Sequence, residues 1–171
     1  ITIHAGLWAG LLLFATTAEA QRFPGPEAVS DRDFYDGGAP PVVKVELGRL
    51  LFFDKILSGN GNISCATCHH TLAMTGDGLS RPVGEGGLGL GMTRALNGVP
   101  ERVPRNAPPV FNLGAREFRV LFHDGRVRVD PTQPSGFASP AGDLLPSGLD
   151  NALAAQAMFP VTSPAEMAGQ A

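Results

Sequence analysis

Cys65-Ala66-Thr67-Cys68-His69 decides how this chain is read. C-x-x-C-H is the attachment pattern of a c-type haem: two thiols add across the porphyrin vinyl groups, and the histidine one residue on reaches the iron from the same turn of backbone. The sequence holds 2 Cys, so none is left for a disulfide or a four-thiolate zinc site. A mixed zinc site would need further Cys or His at finger spacing, and after His69 there is only the adjacent His70 until His123. His70 is turned about 100° around a helix from its neighbour, so it does not serve the same iron.

The other end of the chain speaks to compartment. Gly6–Ala15 is an apolar run, and Ala18-Glu19-Ala20 is an A-x-A cleavage site ahead of Gln21. Residues 1–20 therefore read as a signal peptide, too short to span a bilayer. It opens on Ile1 without a basic n-region, so its start reads as truncated. Export fits c-type haem, which is attached outside the cytoplasm, and a periplasmic location is expected. About 150 residues would remain, enough for one domain with a small core. The net charge of −3 argues against a nucleic-acid partner, which calls for a basic patch. With 22 Gly and 15 Pro, much of the chain must be turn and loop, and a buried haem would organise it.

Residues 21–42 read as an irregular lead-in to a haem domain spanning 43–171. Pro41 opens a helix over Val43–Leu57, with Leu47, Leu50, Leu51 and Phe53 near helical spacing. Ser58–Asn62 stops it. Thr75–Pro104 reads as a long Gly-rich loop; within it Gly84–Gly89 formally matches G-x-G-x-x-G, but no apolar strand precedes it and Pro82 intrudes, which excludes a dinucleotide site. Ser147 resembles an N-cap for a helix over Leu149–Phe159, on which Gln156 shares the face of Leu149, Ala152 and Leu153; an inward amide needs a partner. Ser163-Pro164-Ala165-Glu166 starts a further helix, where spacing alone makes Glu166 a capping-box carboxylate.

Leu47–Asp54, Leu57-Ser58-Gly59, Ser64–His69, Pro104–Pro108, Asp124-Gly125-Arg126 and Glu166-Met167, in this order, resemble the bacterial di-haem cytochrome c peroxidases and their relatives in methylamine utilisation. The likeness is to the N-terminal, peroxidatic haem domain, so the chain is expected to be part of a longer protein with a second haem domain. The resemblance implies an all-α, cytochrome c-like fold with short helices and long loops. It also implies an oxidoreductase that reduces hydrogen peroxide to water with electrons from a small cytochrome or blue-copper protein. Cys65 and Cys68 would carry the haem, His69 the proximal iron bond, Glu166 the proton transfer between the peroxide oxygens, and Gln156 the distal amide. Asn106 matches a side chain associated with calcium between the two haem domains. Homodimers occur in the family.

The chain also departs from that pattern. The classical members of that family carry a distal histidine where this sequence has Asn97–Glu101, without one. Either the peroxidatic haem is permanently open or another residue caps it, Met92 being the substitute in a mobile loop. His123 stands where many relatives have the tryptophan between the two haems, on an inter-haem electron route or as a surface histidine. Asp130–Ser147 reads as an insertion. Two alternatives stay open: a mono-haem electron carrier with no catalysis, and a related di-haem oxidase of an organic substrate.

Overall fold

The computed structural model describes residues 25–98 and 101–169. The signal-peptide reading of residues 1–20 lies outside them, as does part of Asn97–Glu101. No helix among the described residues is long and apolar enough to cross a membrane.

The first long helix, α1 (Val42–Phe53), starts after Pro41 as the sequence suggests and ends earlier than Leu57. Asp54 ends it: its backbone is extended, and its carboxylate accepts the Ile56 N–H at 2.8 Å, an Asx turn that replaces the next helical bond. α1 packs on α2 (Cys65–Cys68), the single turn that carries the haem motif. Thr67 closes that turn by accepting the Ser64 N–H at 3.0 Å. Lys44 on α1 also pairs with Asp150, tying the N-terminal part to the last third.

The expectation of an all-α fold does not hold. Three short strands, β1 (Val120–Leu121), β2 (Val127–Val129) and β3 (Phe137–Ala138), form an antiparallel sheet in the order β1-β2-β3. Leu121 pairs with Val127, and Val129 with Phe137. The cause is local. Val127-Arg128-Val129 alternates inward and outward with β-branched residues, and the flanking turns are self-closing. Gly125 takes the left-handed conformation at φ 68°, and Asp130 captures the Thr132 N–H at 3.0 Å.

The sheet backs the main apolar core. Val127 is fully buried with Leu121, Phe137 and Leu145, against Ala152 and Ala155 of α3 (Ala152–Gln156). Two alanines let this short helix sit close to the strands. α3 is shorter than Leu149–Phe159, and its cap is Asn151, whose side chain accepts the Ala154 N–H at 2.8 Å, rather than Ser147. The stretch Asp130–Ser147 supplies β3 and Leu145 to this core.

The Gly-rich loop is held from inside by Arg94. Arg94 is 8% exposed, and its guanidinium donates to the carbonyls of Val83 (2.5 Å), Gly84 (2.6 Å) and Gly89 (2.8 Å). One buried cation thus gathers carbonyls that a chain without regular structure would leave unpaired.

Candidate active site

The α2 turn places Cys65 and Cys68 on successive positions of one helical face, both as free thiols. Burial pushes the Cys68 thiol up to about 11, with the nearby Arg94 charge partly opposing it. His69 leaves the helix, and its Nδ1 lies 2.9 Å from the Thr75 carbonyl. A carbonyl only accepts, so Nδ1 carries the proton and the Nε2 lone pair is free, which is the tautomer an iron ligand needs. Thr75 is presented by a tight turn in which both Met74 and Thr75 have positive φ, 53° and 62°. Its hydroxyl accepts the Val110 N–H at 2.9 Å, pinning that turn to the chain just past Pro104–Pro108. The Phe52 ring lies 6.3 Å from the His69 ring.

Glu166 sits on a π-helical turn, Pro164–Ala168. The Ser163 carbonyl accepts from three successive N–H groups, Glu166 (3.1 Å), Met167 (3.0 Å) and Ala168 (2.9 Å). Such wide turns recur at functional sites. The carbonyls flanking Glu166 are held from outside: Gly59 N–H donates to Met167 at 2.9 Å and Glu85 N–H to Ala165 at 3.1 Å. Both approaches require glycine, because a Cβ at Gly59 would collide with the Ala168 carbonyl and one at Gly84 with the Ala165 carbonyl. Burial raises the Glu166 carboxyl above its ordinary range, while the Ser163 hydroxyl and the charges of Arg126 and His69 oppose the rise. Arg126 is itself stacked 3.7 Å over the Phe122 ring.

The other residues singled out from the sequence are more dispersed. Gln156 ends α3, half-buried, and its amide makes no hydrogen bond to a described residue. Asn106 donates to Asp77 Oδ1 at 3.4 Å; Asp77 is 2% exposed and its Oδ2 is without a partner. Met92 rests against Gly78 and lines a cavity of about 300 Å³ with His70, Leu72, Ala73, Leu90 and Thr93, a group that does not include His69. His123 is exposed in the β1–β2 turn. Arg94, Glu85 and Thr75 were not foreseen: each works through backbone carbonyls or loop contacts that leave no spacing in the sequence.

A family model for di-haem cytochrome c peroxidase matches residues 43–171. The chain belongs to the di-haem cytochrome c peroxidase family. Among curated relatives, the methylamine utilization protein MauG of Methylorubrum extorquens is 36% identical over 149 residues, covering 85% of this chain and 30% of the relative. Cytochrome-c peroxidase IdrP2 of a Pseudomonas species is 33% identical over 107 residues, 59% of this chain and 25% of the relative. Cytochrome c551 peroxidase of Pseudomonas aeruginosa is 35% identical over 83 residues, 48% of this chain and 20% of the relative. The chain thus spans less than a third of the length of the relatives it matches. No solved structure matches it.

Family membership implies haem c, and the residues fit it. Two thiols stand one turn apart beside a histidine of the right tautomer, and apolar side chains of α1 and of the loops that follow the motif, among them Leu50, Leu72, Leu88 and Leu90, are more than half exposed. Calcium is a different case. Asp77 and Asn106 offer two oxygen donors of the six to eight that calcium takes, and among the described residues no group of three His, Cys, Asp or Glu could hold a metal.

Proposed function

We propose that this chain is the peroxidatic haem domain of a longer, periplasmic di-haem enzyme. That enzyme reduces hydrogen peroxide to two molecules of water with two protons and two electrons from a small cytochrome or blue-copper protein. One observation carries the reading: a half-buried carboxylate, Glu166, is clamped on a π-turn within electrostatic reach of His69 and Cys68.

When bound, haem supplies the iron that takes up peroxide and the redox capacity that cleaves its O–O bond. Cys65 and Cys68 would hold the porphyrin by thioether bonds. His69 would bind the iron through Nε2, its basicity raised by the bond from Nδ1–H to the Thr75 carbonyl. The Glu166 carboxylate would take the proton from one peroxide oxygen and give it to the other, so that water leaves. A carboxyl raised by burial suits both halves of that exchange near neutral pH better than an ordinary one. Gln156 would steady the bound peroxide, and His123, on the same hairpin turn as Arg126, would lie on the electron route from a second haem. Calcium at Asn106 would need oxygen donors beyond Asp77, and no step depends on it.

The test is Glu166→Gln in the haem-loaded, full-length protein. Peroxide turnover should fall by at least a hundredfold, with haem content and far-ultraviolet circular dichroism unchanged. Turnover at the parent rate would return Glu166 to the role of a helix cap. A second reading, oxidation of an organic substrate at the same site, is favoured by the relative matched over the longest span being a methylamine utilization protein. Peroxide consumption that depends on an added amine-derived substrate, and not on a reduced cytochrome, would select it.

A further inference from the structure

The Gly84–Gly89 stretch has a use that its glycine spacing does not suggest. Glu85 within it is 8% exposed. Its Oε1 accepts from the Nδ2 groups of both Asn60 (2.8 Å) and Asn62 (2.6 Å), while its Oε2 is buried without a partner. Placing a carboxylate there costs free energy, and only half of its hydrogen-bonding capacity is met. What it does is join two loops, Ser58–Asn62 and Val83–Gly89.

Each of those loops donates one backbone N–H to the turn that carries Glu166. Gly59 holds the Met167 carbonyl, and Glu85 itself holds the Ala165 carbonyl. The two donors grip the peptide units on either side of Glu166, and the Glu85 side chain, through Asn60 and Asn62, ties one donor's loop to the other's. The turn has little rigidity of its own, because three of its N–H groups converge on one carbonyl instead of forming a regular ladder. Arg94 completes the frame by gathering the carbonyls of Val83, Gly84 and Gly89 behind Glu85.

We propose that Glu85 is the positioning residue for Glu166: it fixes the distance between the two backbone donors that clamp the Glu166 turn. This rests on the reading of Glu166 as the proton-transfer group. A shift of about 1 Å in such a group costs on the order of a hundredfold in rate, so a loosened clamp acts on chemistry rather than on folding.

The experiment compares Glu85→Ala, Glu166→Gln and the double variant in the haem-loaded full-length protein. It measures the bimolecular rate with hydrogen peroxide by stopped flow and the amide hydrogen exchange of the ferric resting protein. Glu85→Ala is expected to slow the peroxide reaction ten- to a hundredfold, to add less than twofold in the Glu166→Gln background, and to speed exchange at Gly59 and across Pro164–Ala168 while leaving Val127 and Val129 protected. Glu85→Gln, which keeps the accepting oxygen, should recover most of the rate. Asn60→Ala, at an exposed position, should reproduce the local exchange pattern if Glu85→Ala is too unstable to isolate. Parent rates in Glu85→Ala with an impaired Glu166→Gln would overturn this proposal alone. Fully multiplicative losses, or faster exchange throughout the sheet, would also overturn it by making Glu85 a general structural residue. Parent rates in Glu166→Gln would remove the proton-transfer reading and this proposal with it.

Discussion

The two halves of this chain are held together by different physics. Around β2 and α3, Val127, Ala152 and Ala155 are 0% exposed, and the packing is of apolar side chains on one another. Around the haem motif, order comes from directional bonds: Arg94 to three carbonyls, Glu85 to two asparagines, His69 to Thr75. There Ile63 and Val83 are buried, but many large apolar residues stay outside, with Leu47 55% and Leu72 82% exposed. Apolar burial is the main favourable term in folding. A lobe that leaves so much of it unused is expected to depend on what it binds more than the sheet does.

The sharpest break of that contrast is to prevent haem attachment. Cys65→Ser with Cys68→Ser should abolish peroxide turnover and lower amide protection throughout α1, α2 and the Gly-rich loop, while Val127 and Val129 keep theirs. Amide exchange by mass spectrometry reads both lobes in one sample. Equal loss of protection in the sheet would mean that the two halves fold as one unit and that the comparison is drawn in the wrong place.

Removing Arg94 is a smaller perturbation of the same lobe. Arg94→Ala would leave the Val83 carbonyl buried without a donor and would strip the Gly84 carbonyl of one of its two donors, the other being the Gly87 N–H, at a cost of about 2 kcal/mol. Thermal unfolding of the holo protein gives the magnitude. Exchange should place the loss in the Gly-rich loop and in the Glu166 turn that rests on it, and Arg94→Lys should rescue little, since a single ammonium cannot span three carbonyls held by a planar fork. A loss spread evenly over the sheet would assign Arg94 to the general fold.

The same division explains what could be read from sequence. Cys65, Cys68 and His69 were legible because covalent attachment imposes a fixed spacing, and α1 because twelve residues suffice to show helical periodicity. The sheet was missed because its strands are two or three residues long. Only Val127-Arg128-Val129 shows an alternation, and Asp124-Gly125-Arg126 was read as a motif rather than as the hairpin turn it forms. Glu85 was illegible for another reason. Its partners Asn60 and Asn62 lie 25 and 23 residues away, and a carboxylate in a Gly-rich loop ordinarily faces water. The clamp on Glu166 is made of backbone bonds, whose only mark in the sequence is that Gly59 and Gly84 have no side chain.

The smallest expected effect is a difference in the sign of pH dependence between the halves. In the turns of the sheet, the Asp124 carboxyl is lowered chiefly by its bond to Arg126, and the Asp130 carboxyl by its bond to Thr132. A lowered carboxyl stabilises the fold above its ordinary titration range, and that contribution is lost as pH falls through the lowered value. Glu166 runs the other way. Burial raises it, so the folded state binds the proton more tightly than the unfolded chain does. Stability therefore falls as pH rises from the ordinary glutamate range, about 4.3, to the raised value, and is level above it. Glu166→Gln should remove that decline, whereas Asp130→Asn should leave it in place and soften the loss on the acid side. Unfolding midpoints of holo protein across this range, taken as the difference between each variant and its parent, isolate the two contributions from the haem propionates. A Glu166→Gln difference that does not vary with pH would mean that the Ser163 hydroxyl and the charges of Arg126 and His69 cancel the effect of burial, leaving the two halves alike in this respect.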